Sequence, residues 1–303
     1  MTMRTKLLSL GLLSLSIFVQ PLRAADLNFA QIDEITGLKG KFNEKEGAYK
    51  ITLPRNDVPV SIDAWKAPPF MGLSSWAAFR KAEHAAAMVM GDTVLFEDEV
   101  NPVMSVALEN GLAVTALHNH FFFDQPRVYF MHVSGEGDVA QLAGAVRKMY
   151  DKVKEIRTAE PQPRSTFGAG LLPDKNIISP EPLNLILGLS GELNNGMVKF
   201  TMGRRATMHG TEIDNTMGVN TWAAFAGSDA DALVDGDFAV TEDELQGALK
   251  SLRGARINIV AIHSHMTHEE PRIIFFHYWG RGQAKELAQA IKEALPPGNS
   301  SKK

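Results

Sequence analysis

An α+β fold, built as two tandem homologous domains that each pack amphipathic helices on a mainly antiparallel sheet, is predicted by three observations. First, the segment ALHNHFFFDQPRVYFMH at 116–132 matches AIHSHMTHEEPRIIFFH at 261–277, at an offset of 145 and without a gap. Seven of its seventeen positions are identical, including all three aligned histidines, so the match marks a duplication. Second, helical periodicities fall at the same places in both copies. Third, the apolar stretches between the helices are short, β-branched and aromatic, and are linked by about five residues, which suits antiparallel strands.

The copies agree element by element. Met71 to Phe79 parallels Met217 to Phe225, Gly91 to Val100 parallels Gly236 to Leu245, and Gly37 to Asn43 more faintly parallels Gly188 to Asn194. Val100, Val103, Met104, Ala107 and Leu108 follow helical spacing, as do Leu245, Ala248, Leu249 and Leu252. Thr241 followed by Glu244 reads as a capping box, which explains the acidic run at 242–244 by helix initiation rather than by metal binding. A second helix closes each copy, through Val139, Leu142, Ala143 and Val146 or Ala284, Leu287, Ala288 and Ile291. Strands are expected at 112–120 and 127–134, repeated at 257–265 and 272–279, with others at 49–53, 76–79 and 88–96.

These elements give a domain at 26–156, a linker rich in Pro, Gly and Ser at 157–182, a second domain at 183–295 and a frayed tail at 296–303. Residues 1–25 read as a secretory signal peptide, with Arg4 and Lys6 ahead of an apolar run from Leu7 to Val19 and a small-residue exit at Ala24 and Ala25. The run is short of the ~20 residues a membrane helix needs, so the mature chain is expected in the periplasm or outside the cell, off the membrane. With 45% hydrophobic and 22% charged residues the chain can bury ordinary cores, which excludes disordered and fibrous classes. It has no cysteine, which excludes disulfides, thiolate ligands and a lipidated cysteine. The net charge of −4 falls by three more when Arg4, Lys6 and Arg23 are removed, which argues against nucleic acid as partner. A small molecule or peptide is the expected ligand class, and oligomeric state is not legible.

Seven of the nine histidines fall in the repeated windows. With strand alternation, Leu112, Val114, Ala116, His118 and His120 share one face, as do Ile257, Ile259, Ala261, His263 and His265. Two imidazoles on one face at the end of a strand can converge on an ion. The candidate metal ligands are therefore His118, His120 and Asp124 in one copy and His263, His265 and Glu269 in the other, for a divalent transition metal, zinc first among them. Arg127 and Arg272, three residues beyond each acid, suit an anionic ligand group or a bridge to that acid. His132 and His277 are possible additional ligands, although a tight hairpin would leave His132 ~10 Å from His118. Phe121, Phe122 and Phe123 can form a lip, while His84, His209 and His268 have no assigned role.

The spacing in HNHFFFD partly resembles the first cupin motif, but no second motif follows and the helices do not suit a jelly roll. The usual zinc-protease, serine-hydrolase, P-loop and dinucleotide fingerprints are absent. The repeated ALHNH…DQPRVYFMH and AIHSHMTHEEPRIIFFHYW, with GD ahead of EDEV or EDEL, resembles the LppY/LpqO family, an exported bacterial domain of unknown function that occurs as a duplication. The resemblance covers residues from about Ile32 to Leu295 and implies no activity. Three readings stay open: metal binding, with metal-dependent hydrolysis as its catalytic form; a metal-free cleft for a small anionic or peptide ligand; and a cluster that only locks the fold.

Overall fold

Alternating burial sets the strands. Tyr49 and Ile51 in the first copy, and Val198, Phe200 and Met202 in the second, are buried while the residues between them face solvent. In the computed structural model the described residues are 27–168, 170–173 and 175–296; the expected signal peptide and most of the expected tail lie outside them. The first copy begins with α1 (Phe29–Thr36), β1 (Lys41–Asn43), β2 (Ala48–Pro54), β3 (Val60–Ile62), β4 (Trp65–Ala67), β5 (Ser74–Arg80) and β6 (Ala87–Phe96). It continues with α2 (Glu97–Glu109), β7 (Ala113–His118), β8 (Asp124–Gln125), β9 (Val128–Gly137) and α3 (Val139–Ala159).

The second copy repeats this order. It runs α4 (Pro180–Leu187), β10 (Glu192–Asn194), β11 (Met197–Gly203), β12 (Ala206–Met208), β13 (Thr211–Ile213), β14 (Asn220–Gly227) and β15 (Ala232–Thr241). Then come α5 (Glu242–Gly254), β16 (Asn258–His263), β17 (Glu269–Glu270), β18 (Ile273–Gly282) and α6 (Ala284–Ala294).

The two copies share one twelve-stranded sheet in the order β1-β2-β5-β6-β9-β7-β16-β18-β15-β14-β11-β10. That order is a palindrome of the repeat, with β7 and β16 meeting antiparallel at Leu117 and Ile262. Helices cover one face, where a single apolar cluster draws on both copies, including Val114, Leu117, Met131, Ile259 and Ile262. On the opposite face the hairpin β3–β4 pairs with β8, and β12–β13 pairs with β17. Each small sheet seals its own apolar cluster, around Val94 and Phe130 in one copy and Ala239 and Phe275 in the other.

The stretch expected as a linker is shorter than 157–182. Helix α3 continues to Ala159 because Arg157 is buried and its guanidinium pairs with Asp98 and Glu99 at the start of α2. At the other end α4 starts at Pro180, a residue suited to the first turn of a helix. The acidic runs behave as helix starts. Glu99 accepts the Phe96 N–H at 2.8 Å and Glu244 accepts the Thr241 N–H at 2.8 Å. Each is also held by an arginine from its own copy, Arg55 at 2.7 Å and Arg204 at 2.6 Å.

Candidate metal centre

A β-bulge decides where the histidines point. Unbroken alternation would put Val114, Ala116 and His118 on one face, as the sequence reading has it. In the structure the register of β7 against β9 shifts between Val114 and Ala116, and that of β16 against β18 shifts between Ile259 and Ala261. One extra residue on the bulged strand turns every later side chain over. Val114 and Leu117 therefore enter the helix-covered core, while Ala116 and His118 turn to the opposite face. Ile259, Ile262, Ala261 and His263 divide in the same way.

The bulges are held from across the seam. The side-chain amide of Gln246, on α5, accepts the Val114 N–H at 2.9 Å and donates to the Val114 carbonyl at 2.9 Å. Asn101, on α2, does the same for Ile259, at 2.8 and 3.1 Å. Thus each copy's helix satisfies the backbone groups that the other copy's bulge leaves without a ladder partner.

On the turned face each copy gathers three histidines around an aspartate that sequence spacing did not single out as a ligand. In the first copy Asp92 of β6 lies opposite His132 of β9, and His132 lies opposite Ala116 of β7. The His132 Nε2 reaches 3.0 Å from His118 Nε2 and 4.0 Å from Asp92 Oδ2. This corrects the expected ~10 Å gap, since His132 faces a residue only two before His118 and both rings lean along the strands. His120 stacks on Phe130 at 3.3 Å between centroids, and its ring lies 5.3 Å from that of His118.

In the second copy Asp237 of β15 lies opposite His277 of β18. His265 Nε2 is 3.4 Å from Asp237 Oδ2, and His277 Nδ1 is 3.9 Å from Asp237 Oδ1. The His263 and His277 rings are 4.9 Å apart, and His265 stacks on Phe275 at 3.5 Å. Asp237, His263 and His265 each offer a ligand atom within 4.8 Å of the others, a group able to hold a metal ion. Neighbouring ligands around a tetrahedral zinc with bonds near 2.0–2.1 Å sit about 3.3 Å apart, so small side-chain movements would close this set.

The charge state suits a cation. Asp92 Oδ1 and Asp237 Oδ1 are buried with no hydrogen-bond partner among the described residues. Burial raises both carboxyls above their usual range, although the surrounding imidazoles pull them down. Burial lowers His263, helped by His277 and His265, and it lowers His120, helped by His118. Such imidazoles favour the neutral form, which is the form that binds metal.

The acids that the spacing points to each accept a backbone N–H. Asp124 accepts the Val128 N–H at 2.6 Å, and Glu269 accepts the Ile273 N–H at 3.2 Å, so both are tied to the backbone of the connection they sit in. Glu269 Oε2 has no partner among the described residues, but it is Asp237 that groups with His263 and His265. The arginines diverge. Arg127 turns to Glu97 at 3.6 Å, while Arg272 lies 3.9 Å from Glu269 in the bridge weighed from the sequence. Phe121 packs beside His120 and Phe130, whereas Phe122 and Phe123 are exposed.

Both clusters occupy the same face. Leu117 and Ile262 are paired and point into the helix-covered core, so the residues that follow them, His118 and His263, both point to the other side. They are diagonal neighbours across the seam, a spacing of roughly 7–8 Å in a regular ladder.

A family profile described as Domain of Unknown Function (DUF1259) matches the chain twice, at residues 30–152 and 181–296. The search of curated proteins and the search of solved structures each give no match. Among the described residues no helix is long and apolar enough to cross a membrane.

Proposed function

The chain belongs to the family described as Domain of Unknown Function (DUF1259), which assigns no activity, and we propose from the site itself that it binds a divalent transition metal, zinc first, in each copy. The observation that carries this reading is the second-copy group, in which a buried carboxylate with an unpartnered oxygen meets two imidazoles. A buried, unpaired carboxylate is costly, and a cation shared with neutral imidazoles removes that cost. Asp237, His263 and His265 are the primary ligands, with His277 beside them; Asp92, His118, His120 and His132 form the matching set. Asp92 and Asp237 thereby take the places first given to Asp124 and Glu269.

In the same reading the chain is LppY/LpqO-like, is exported by residues 1–25, and works in the periplasm or outside the cell, without nucleic acid or membrane as partner. Metal-dependent hydrolysis is the second reading. It is favoured by the partial exposure of His132, His265 and His277, which leaves room for a metal-bound water at the surface.

Elemental analysis of mature, tag-free protein prepared without chelators tests the proposal. Two equivalents of metal are expected, with one lost in His263→Ala/His265→Ala and the other in His118→Ala/His120→Ala. Asp124→Ala and Glu269→Ala should keep both wherever they remain folded. Metal-free wild type that gains no thermal stability on adding zinc overturns the reading and leaves the metal-free ligand cleft.

A further inference from the structure

A cavity of about 920 Å³ lies at the junction of the two copies, lined by residues of β7's neighbour β16, of α2, α3 and α5, and of the connecting segment. Its cations and acids are unevenly satisfied. Asp98 is taken by Arg157, and Glu97 by Arg127 at 3.6 Å. Lys152 and Arg164 pair with Glu155 and Glu160. Arg253 and Arg256, by contrast, have no ion pair among the described residues. Among the described residues the Arg253 guanidinium donates to uncharged groups, Ser105 Oγ at 3.1 Å and the Ile257 carbonyl at 2.7 Å. Burial pulls its pKa down to about 10, the mark of a cation lacking a counter-charge.

Arg256 is odd in a second way. It holds a left-handed backbone at φ 60°, a conformation strained for a residue with a side chain and natural for glycine. In the first copy the equivalent position is Gly111, at φ 82°, and the position equivalent to Arg253 is the buried Leu108. The duplication thus shows what the fold needs at these places, a glycine and a leucine. The second copy carries two arginines instead, with no acid paired to either among the described residues. Trp279, whose counterpart is Ser134, lines the same cavity and meets Phe167 edge-on at 4.6 Å between ring centroids.

We propose that this cavity binds a small organic anion, a carboxylate, sulfonate or phosphate on a flat apolar body, with Arg253 and Arg256 on the anionic group and Trp279 and Phe167 against the ring. Arginine's planar fork matches such oxyanions, and a partly desolvated guanidinium gains most from them. Tyr129 adds a third aromatic wall. The cavity's volume falls within the range typical of small-molecule sites. The site is separate from the histidine clusters in its side chains, because none of the clustered histidines or aspartates lines the cavity.

The test uses the full mature chain and two fluorescent probes of one shape, 8-anilinonaphthalene-1-sulfonate and the neutral N-phenyl-1-naphthylamine. The sulfonate should bind saturably at one site and the neutral probe about tenfold more weakly or not at all. Arg256→Gly restores the first copy's residue and relieves the backbone, so it keeps the fold; it should weaken sulfonate binding about tenfold. Arg253→Leu, which also copies the first repeat, should do the same. Chelator treatment should leave binding unchanged, which separates this site from the metal reading. Equal affinity for both probes, binding unchanged in Arg256→Gly, or no saturable binding overturns the proposal.

Discussion

Asp237 has one buried carboxylate oxygen without a hydrogen-bond partner among the described residues, and it groups with two imidazoles whose ligand atoms lie within 4.8 Å. Without a cation that arrangement is destabilising, and removing the charge relieves it. Asp237→Asn should therefore leave the chelated protein at least as stable as wild type, and only wild type should gain the full increment on adding zinc. Saturating a site at one hundred times its Kd stabilises by about 2.7 kcal/mol, readable as a rise in Tm. An asparagine variant that gains as much from zinc as wild type would remove Asp237 from the ligand set. The histidines were legible in the sequence because duplication repeats them at one offset. The aspartates were harder to read, since Asp92 and Asp237 lie on strands well upstream and meet the histidines only through sheet pairing. A signal existed in the repeated Gly-Asp at 91–92 and 236–237. A Cβ on Gly236 would come within 2.3 Å of the Trp222 carbonyl, so the pair couples a close backbone approach on one side to a carboxylate on the other. Asp124 and Glu269 lie nearer the histidines in sequence, and one oxygen of each accepts a backbone N–H.

At the scale of elements, periodicity located the helices and the main strands, but the bulges that turn the histidines over have no periodic signature. They depend on Asn101 and Gln246, whose partners are 158 and 132 residues away. Leaving the bulge backbone unpaired costs about 1–3 kcal/mol per group. Gln246→Ala should thus destabilise the protein by about that amount and weaken metal binding in the first copy, while Asn101→Ala should do so in the second. Urea denaturation and the metal content of each variant check this, and loss of metal from the variant's own copy would refute the crossed assignment. The capping glutamates allow a pH test. Burial would raise the Glu244 carboxyl, but the bonds from Arg204 and the Thr241 N–H outweigh it and hold it below the usual range. A depressed carboxyl stabilises the fold above its unfolded-state pKa, and that contribution is lost as pH falls through the folded value. Arg204→Met should therefore cost most near neutrality, with its gap to wild type narrowing as pH falls below about 4.3. Denaturation at pH 7 and pH 3.5 reads the gap directly, and a constant gap would mean that the arginine acts by packing alone.

For the whole molecule, the sequence showed two copies but not that they share a sheet and a core, because the strand pair, the bridging side chains and the apolar cluster at the seam join residues far apart in the chain, whose pairing no local pattern records. Parted from its partner, β7 would be an open edge strand, and the bulge at Val114 would lose the Gln246 amide. An exposed edge of that kind recruits another strand. The seam is nearly symmetric: Leu117 faces Ile262, and Asn101 occupies on α2 the place that Gln246 occupies on α5. A second first-copy chain therefore offers a close imitation of the missing half, with Asn101 reaching across in the place of Gln246 and an isologous contact closing the pair. A fragment covering residues 27–160 should accordingly form a dimer or fail to fold, and co-expression with a fragment covering 175–296 should give a one-to-one complex that binds both metals. Light scattering after size exclusion distinguishes these states. A folded first-copy monomer, stable at micromolar concentration, would show that each repeat is self-sufficient and that the shared sheet only brings two finished sites together.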